Sequence, residues 1–268
     1  GMSYAASLTE GGRPSADVVA QLADHVRGGG LFVLTGAGLS TDSGIPDYRG
    51  RDGVRRVMPM QFGEFVGSSA ARQRYWARSF VGWARFRAAA PNAGHRAVAD
   101  LQRRGLVHTL VTQNVDDLHE RAGSEVLAHV HGSLFAWRCD RCDRPAPTPH
   151  APATPQQRVE PDTCPHCAFG EIRPGVVWFD EPLPERAFGD AIRVCRDADL
   201  VLVVGTSGIV QPAASLPHLA GARGIPVVEI DPHPTEFSPF ASQVWRATAA
   251  TALPALVGAL AQPRGGIE

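Results

Sequence analysis

Two histidines and a run of amide and carboxylate side chains hold the most chemical promise in this chain. The segment Thr112-Gln-Asn-Val-Asp-Asp-Leu-His119 places Gln113, Asn114 and Asp116 directly after an apolar run, and His131-Gly-Ser133 follows shortly after. A histidine is the natural general base near neutral pH. An amide and a carboxylate beside it can orient a polar ligand, and three such groups at a strand end are costly to bury unless they are satisfied or used. Each also has a purely structural reading: His131 as a satisfied core histidine, Asn114 as a cap, Asp116 as a helix N-terminal acid. For His25, His95 and His108 the structural reading is preferred, and His119 is assigned to the helix after the loop.

A second segment supplies what the first lacks. Gly36-Ala-Gly-Leu-Ser-Thr-Asp-Ser-Gly-Ile-Pro-Asp-Tyr-Arg49 begins with a Gly-x-Gly turn (Gly36, Ala37, Gly38) after an apolar run. Such a turn can bring backbone N–H groups close to a pyrophosphate. Alone it is weak, because the full G-x-G-x-x-G is absent. Thr41 and the polar Asp47, Tyr48 and Arg49 extend it into a loop long enough to close over a ligand. Gly205-Thr206-Ser207 and Asp231 stand at the ends of two further apolar runs, and a carboxylate at Asp231 can accept ribose hydroxyls.

Cysteines form the third constellation. Cys139-x2-Cys142 and Cys164-x2-Cys167, separated by 21 residues, match a four-thiolate zinc site with a slightly long central loop. Four thiolates close the coordination shell, so the zinc is read as structural. Disulfides and a nucleic-acid-reading ribbon are the alternatives. The first needs secretion, and the second is opposed by Asp140, Asp143, Glu160 and Asp162 among the arginines. His166 is a possible substitute ligand. Cys195 reads as a buried thiol.

These groups need a scaffold. Short apolar runs at 31–34, 109–112, 200–204 and 226–230 fit strands covered on both faces, with a further short strand at 126–130. Helical patterns lie at 15–27, with Ser15 as N-cap, and at 94–104 and 184–196. The alternation predicts an α/β fold with a Rossmann-like, doubly wound parallel sheet. Two stretches break the rhythm. Residues 50–91 read as helices with no strand between them, and 134–172 carry the cysteine pairs and a Pro-rich loop that cannot form regular structure. The expected division is a dinucleotide-binding domain of 15–49, 92–133 and 173–260, with 50–91 and 134–172 forming a smaller inserted domain.

Composition sets the bounds. With 268 residues, 44% hydrophobic, 20% charged and a net charge of -1, the chain can bury a sizeable core and has no global field for nucleic acid or a membrane surface. No apolar run approaches a membrane span, and the N-terminal residues lack the pattern of a signal peptide. Five cysteines without such a signal predict a reducing, cytoplasmic compartment. All 26 basic residues are arginine, which fits a GC-rich bacterial genome and leaves no lysine side chain to be acylated.

Taken in order, the Gly36–Arg49 segment, Thr112-Gln-Asn-Val-Asp116, His131-Gly132, the cysteine pairs, Val176-Val-Trp-Phe179 and Gly205-Thr-Ser207 resemble the sirtuins over nearly the whole chain. Residues 45–49 and 72–78 look like the class II branch. The resemblance implies a Rossmann-like domain and a small domain of zinc ribbon and helical module, with NAD in the cleft between them. It implies removal of acyl groups from lysine side chains of a protein or peptide: the acyl oxygen attacks C1′ of the nicotinamide ribose, His131 activates a ribose hydroxyl, and nicotinamide and O-acyl-ADP-ribose are released.

In that scheme Asn114 holds the ribose or a water, and Asp116 binds the nicotinamide carboxamide with the backbone near Ile45. Arg49 sits by the pyrophosphate or reacting ribose, Ala249 joins the cofactor contacts, and Val177, Trp178 and Phe179 line the acyl-lysine tunnel. Asp117, Asp180, Gly208 and Asp231 depart from the family's common residues. Tyr75 and Arg78, three apart on a helix, could meet an acidic acyl chain as in the desuccinylase branch; an arginine on a solvated helix face is the alternative. Protein mono-ADP-ribosyl transfer and a non-catalytic NAD-binding zinc protein are the competing functions.

Overall fold

The structure, a computed structural model, describes residues 6–7, 16–46, 62–146, 157–159, 162–176, 185–210 and 213–261. Five apolar strands carry the sheet: β2 (Leu31–Thr35), β3 (Val107–Thr112), β7 (Leu200–Val204), β8 (Val227–Ile230) and β9 (Gln243–Trp245). The two-residue strands β1 (Ala6–Ser7) and β4 (Ala128–His129) close its edges, in the order β1-β9-β8-β7-β2-β3-β4, and every pairing is parallel. Side chains alternate between faces along a strand. Leu31 and Val33 therefore join one core with Leu200 and Leu202, while Phe32 and Leu34 join the other with Val201 and Val203. Covering both faces requires uninterrupted apolar strands, as β2 and β7 are.

Helices α1 (Ala16–Arg27), α4 (Ala93–Arg103) and α8 (Ala249–Leu260) cover the first face. In α1 the buried Val19, Leu22, Ala23 and Val26 recur at helical spacing and make one apolar stripe. Helices α6 (Glu185–Arg196) and α7 (Ser215–Ala222) cover the second face, where Ala191 and Cys195 are fully buried. Helix α4 opens with a reciprocal cap. The Asn92 side chain accepts from the Gly94 and His95 N–H groups, and His95 Nδ1 accepts the Asn92 N–H at 3.1 Å.

A second body is built from α2 (Phe62–Gly67), α3 (Ser69–Ala88) and the antiparallel pair β5 (Gly132–Cys139) and β6 (Ile172–Val176). Its small core is Phe65, Trp137, Val159 and Ile172. Arg72, on α3, reaches from the helices into the cysteine-bearing ribbon. Its guanidinium pairs with Asp162 at 3.3 Å and Glu171 at 3.2 Å and donates to the Phe65 and Val66 carbonyls.

The expected strands and helices stand with small shifts at their ends. The strand expected over 126–130 shortens to Ala128–His129 because Val130 already turns toward His131, although its N–H still bonds the Thr112 carbonyl at 3.0 Å. Helix α5 (Leu118–Arg121) contains His119, as expected. Ser15 lies outside the described residues. Among those residues no helix is long and apolar enough to cross a membrane.

Candidate active site and metal centre

Strands β2 and β7 lie side by side at the centre of the sheet. The chain leaves β2 toward β3 and leaves β7 toward β8, in opposite directions. That reversal is the switch point where doubly wound sheets open a ligand crevice. Here the two departing loops interlock. The Gly36 N–H bonds the Val204 carbonyl at 2.9 Å, and the Gly38 N–H bonds the Gly205 carbonyl at 2.8 Å. A Cβ on Gly36 would lie 2.7 Å from Gly205 O and from Thr206 Cβ. These glycines were expected to bring N–H groups to a pyrophosphate. The structure spends one N–H on the end of β7 and the other on Gly205 just beyond it, and uses the missing side chains for loop-to-loop contact.

At the end of β3, Gln113 Nε2 donates to Thr206 Oγ1 at 2.8 Å, tying the third strand end to the same edge. Asn114 is 8% exposed; its Nδ2 donates to the Gly36 carbonyl at 2.9 Å and to Ser40 Oγ at 3.4 Å. Asp116, 5% exposed, divides its two oxygens: Oδ1 accepts the Leu118 N–H at 3.0 Å, and Oδ2 accepts the Ser40 hydroxyl at 2.8 Å. The helix N-terminal role expected of Asp116 thus falls to one oxygen, while the other bonds Ser40 of the glycine loop. Burial raises its pKa, against the opposing Leu118 N–H and Ser40 hydroxyl.

The imidazole of His131 meets the Gln113 carbonyl through Nδ1 at 3.1 Å. A carbonyl can only accept, so Nδ1 carries the proton and the neutral ring has its lone pair on Nε2. That is the tautomer a general base needs.

Behind the site lies a buried relay that includes His95, expected to be structural, and His119, expected in the helix after the loop. Thr35 Oγ1 donates to Thr112 Oγ1 at 2.7 Å, and Thr112 Oγ1 accepts the Asn114 N–H at 3.0 Å. With its one proton so used, Thr35 must receive the Nε2–H of His119 at 2.8 Å, leaving His119 Nδ1 buried and without a partner among the described residues. His95 is set the same way. Its Nδ1 accepts the Asn92 N–H, so Nε2–H points to Ser40 Oγ at 3.5 Å, and the Ser40 proton is left for Asp116. Burial pushes His119 down to about 3 and His95 down to about 4, so both are neutral. The two rings meet edge to face, 5.2 Å apart.

Of the remaining expected residues, Ala37 and Thr41 flank the interlocked turn, and Ser207 and Asp231 stand at the ends of β7 and β8. Ala249 is 4% exposed and belongs to the core with Leu39. Asp47, Tyr48, Arg49, Val177, Trp178 and Phe179 lie outside the described residues, as does the Arg78 side chain. The departure at Gly208 has a steric reason. Its φ is +76°, and a Cβ would meet Glu236 Cβ at 3.0 Å and the Phe237 ring at 3.1 Å.

The four cysteine sulfurs converge within 4.8 Å of one another. Cys139–Cys167 and Cys142–Cys164 are each 3.8 Å apart. Tetrahedral Zn–S bonds of about 2.3 Å imply sulfur separations of about 3.8 Å, so the cage fits one zinc, and His166 is outside it. Backbone N–H groups of Arg141, Cys142, His166 and Gly170 point at the sulfurs at 3.3 Å each. The Phe169 and Gly170 N–H groups hold Cys167 down to about 6, whereas burial pushes Cys139 up to about 11; a divalent cation among the sulfurs favours the thiolate at every position.

Polar groups from three strand ends thus meet where the strand order reverses, beside a thiolate cage that needs no part in chemistry. The molecule is a doubly wound α/β protein with a polar cluster at its switch point and a four-cysteine ribbon that fits a structural metal. Residues 36–212 match the model of the Sir2 family. The chain is 47% identical over 237 residues to NAD-dependent protein deacylase 2 of Corynebacterium efficiens, covering 85% of this chain and 91% of that protein. It is 45% identical over 233 residues to an NAD-dependent protein deacylase of Mycobacterium tuberculosis, covering 85% and 96%. Among solved structures, a Sir2 homologue in complex with NAD superposes with a TM-score of 0.74 at 38% identity, covering 90% of this chain and 93% of that one. Sir2Tm bound to a propionylated peptide gives 0.72 at 28% identity, covering 90% and 98%. The chain belongs to the Sir2, or sirtuin, family.

Proposed function

We propose that this chain is an NAD-dependent protein-lysine deacylase in which His131 is the general base and Asn114 and Asp116 complete the catalytic set. The observation that carries the assignment is the His131–Gln113 contact, which fixes a base-competent tautomer beside a buried amide and carboxylate at the switch point. Bound NAD supplies the electrophilic ribose carbon from which nicotinamide departs, and the acyl group ends on the ribose as O-acyl-ADP-ribose.

The chain's own residues bind, orient and move a proton. The strand-end floor fits such a ligand: Gln113, Thr206 and Ser207 offer amide and hydroxyl groups, and Asp231 offers acceptors for ribose hydroxyls. The turn at Gly36, Ala37, Gly38 and Thr41, with Gly205 beneath it, shapes one wall. Asp47, Tyr48, Arg49 and Ala249 are further cofactor contacts in this reading. Asp116 takes the carboxamide, Asn114 the ribose, and Nε2 of His131 accepts a ribose hydroxyl proton. Val177, Trp178 and Phe179 line the entry of the acyl-lysine of a protein or peptide substrate. One zinc on Cys139, Cys142, Cys164 and Cys167 holds the ribbon.

We divide the chain into a cofactor-binding domain of 15–49, 92–133 and 173–260 and a small domain of 50–91 and 134–172; the Arg72 ion pairs support joining the latter two segments. Thiolate ligation at four cysteines and a reduced, buried Cys195 fit a reducing, cytoplasmic compartment.

The test is purified protein with NAD and peptides bearing lysine acylated with chains of different length and charge, following nicotinamide release and the acylated ADP-ribose product. NAD binding without nicotinamide release on any acyl peptide would overturn deacylation, and label transfer from NAD to protein would replace it with ADP-ribosyl transfer. His131→Ala should abolish turnover and leave NAD binding intact.

A further inference from the structure

His129 sits on the short strand that delivers His131, and the site as described gives it no task. Both of its ring nitrogens meet acceptors: Nδ1 the Asn114 carbonyl at 2.9 Å, and Nε2 a Glu120 carboxylate oxygen at 2.5 Å. Neither the carbonyl nor an ionised carboxylate has a proton to donate, so two bonds require two ring protons. A neutral ring would turn a lone pair against one of these oxygens and lose that bond. The pair is half-sheltered, with the His129 side chain 19% and Glu120 40% exposed.

We propose that His129 is a positioning residue for deacylation: bridging Glu120 and the Asn114 carbonyl, it fixes the backbone that carries Asn114 and, one residue away, the Gln113 carbonyl that holds His131. It does this only while it carries both ring protons. The inference rests on the assignment of His131 and Asn114 given above.

The surroundings favour the cation. Burial opposes charge on His129, but the Glu120 hydrogen bond, the Asn114 carbonyl and the Glu120 and Asp116 charges outweigh it and raise its pKa above the ordinary 6.5. Burial likewise opposes the Glu120 carboxylate, and His129 outweighs it. Helix α5 presents Glu120 and the neutral His119, and the loop before it presents Asp116 and Asp117, the latter facing Arg121 at 3.9 Å. Helix α4 presents the neutral His95. Helix α6 meets β4 through the apolar cluster of Ala128, Val130 and Ala191, and its Asp190 pairs with Arg193.

The experiment is the pH dependence of kcat and of both KM values, from about pH 5.5 to about pH 10, for the wild-type enzyme, Glu120→Gln and His129→Asn, with thermal midpoints at each pH. The wild type should gain activity on the acid side as His131 deprotonates and lose kcat on the alkaline side as His129 deprotonates. Glu120→Gln should move the alkaline limb down by about one pH unit, leaving the acid limb in place. His129→Asn keeps an amide donor for the Asn114 carbonyl. It should remove the alkaline limb and lower kcat on the order of 10-fold, with KM for the acyl peptide little changed.

An alkaline limb unmoved in Glu120→Gln would overturn the proposal. So would a pH-independent loss that tracks the thermal midpoint, which marks a mere structural clamp. Independently, nitrogen NMR of histidine-labelled wild-type enzyme should show both His129 N–H groups persisting above the ordinary value of 6.5; titration at or below that value would also overturn the proposal. If His131→Ala retained turnover, the underlying site assignment would fail instead, so the two failures are distinguishable.

Discussion

Gly38 and Gly205 face each other at the centre of the molecule: the N–H of one bonds the carbonyl of the other at 2.8 Å, and neither has room for a side chain. A Cβ on Gly205 would stand 2.5 Å from the Leu39 nitrogen, and its φ of +65° is left-handed. Gly205→Ala therefore meets both a clash with backbone and a disfavoured conformation, and should lower stability by more than about 2 kcal/mol. Gly221→Ala is the control, because its Cβ would meet the Phe240 ring at an ordinary 3.4 Å. Denaturant unfolding compares them, and equal stability of the two variants would refute the interlock.

Stability should fall on the acid side because of the two neutral histidines. His95 and His119 refuse protons until about pH 4 and about pH 3, whereas in the unfolded chain they take them up near 6.5. Their contribution is complete above 6.5 and is lost as pH falls below it, with a slope of up to about 1.4 kcal/mol per pH unit for each proton. The His129–Glu120 pair has the opposite sign on its histidine side: its contribution is complete below 6.5 and is lost as pH rises through the raised value. Thermal midpoints against pH should form a dome. His119→Gln keeps a donor for Thr35 and removes a titrating group, so it should flatten the acid side.

The thiolate cage depends on one glycine and carries two non-glycine residues with left-handed backbone, Asp143 after Cys142 and Ala168 after Cys167. A Cβ on Gly170 would fall 2.1 Å from Cys139 Sγ, so Gly170→Ala should lose zinc, read as metal content per chain. Ala168 holds a φ of +64° with a side chain attached. Ala168→Gly relieves that and should stabilise the ribbon by about 1 kcal/mol, slowing zinc release to a chelator. Faster release would argue against the strain.

Arg72 is a buried cation, its side chain 8% exposed, with two carboxylates and two carbonyls arranged around it. Arg72→Ala takes the cation from Glu171 and leaves Asp162 only the exposed Arg158 at 3.8 Å, and should cost about 3 kcal/mol. Arg72→Lys restores charge without the fork and should recover only part of that. Protease sensitivity of α2, α3 and the ribbon would report the loss. Uniform destabilisation with the ribbon still protected would show that the staple is unimportant.

The sheet was legible because residues buried on both faces must be apolar without interruption, as at 31–34 and 200–204. The metal ligands were legible because the Cys139, Cys142, Cys164 and Cys167 spacing is itself the chemistry. The site's support was not. Ser40, His95, His119 and His129 act through partners up to 84 residues away, and nothing local distinguishes His119, which fixes Thr35, from a core histidine. The Gly-x-Gly turn was read for its openness to phosphate because the strand that would occupy its N–H groups, β7, lies far downstream. Helix α8 hid in an alanine-rich run containing Pro254, where no polar face marks a period.

The Arg72 staple also has a consequence in time. Its partner Asp162 comes 90 residues later in the chain. A ribosome adding roughly 5–20 residues per second leaves that guanidinium waiting roughly 5–20 seconds for its first carboxylate. During synthesis the helices of the small domain therefore stand without their anchor until Asp162 emerges just ahead of the second cysteine pair, so zinc capture and helix docking fall together late in synthesis.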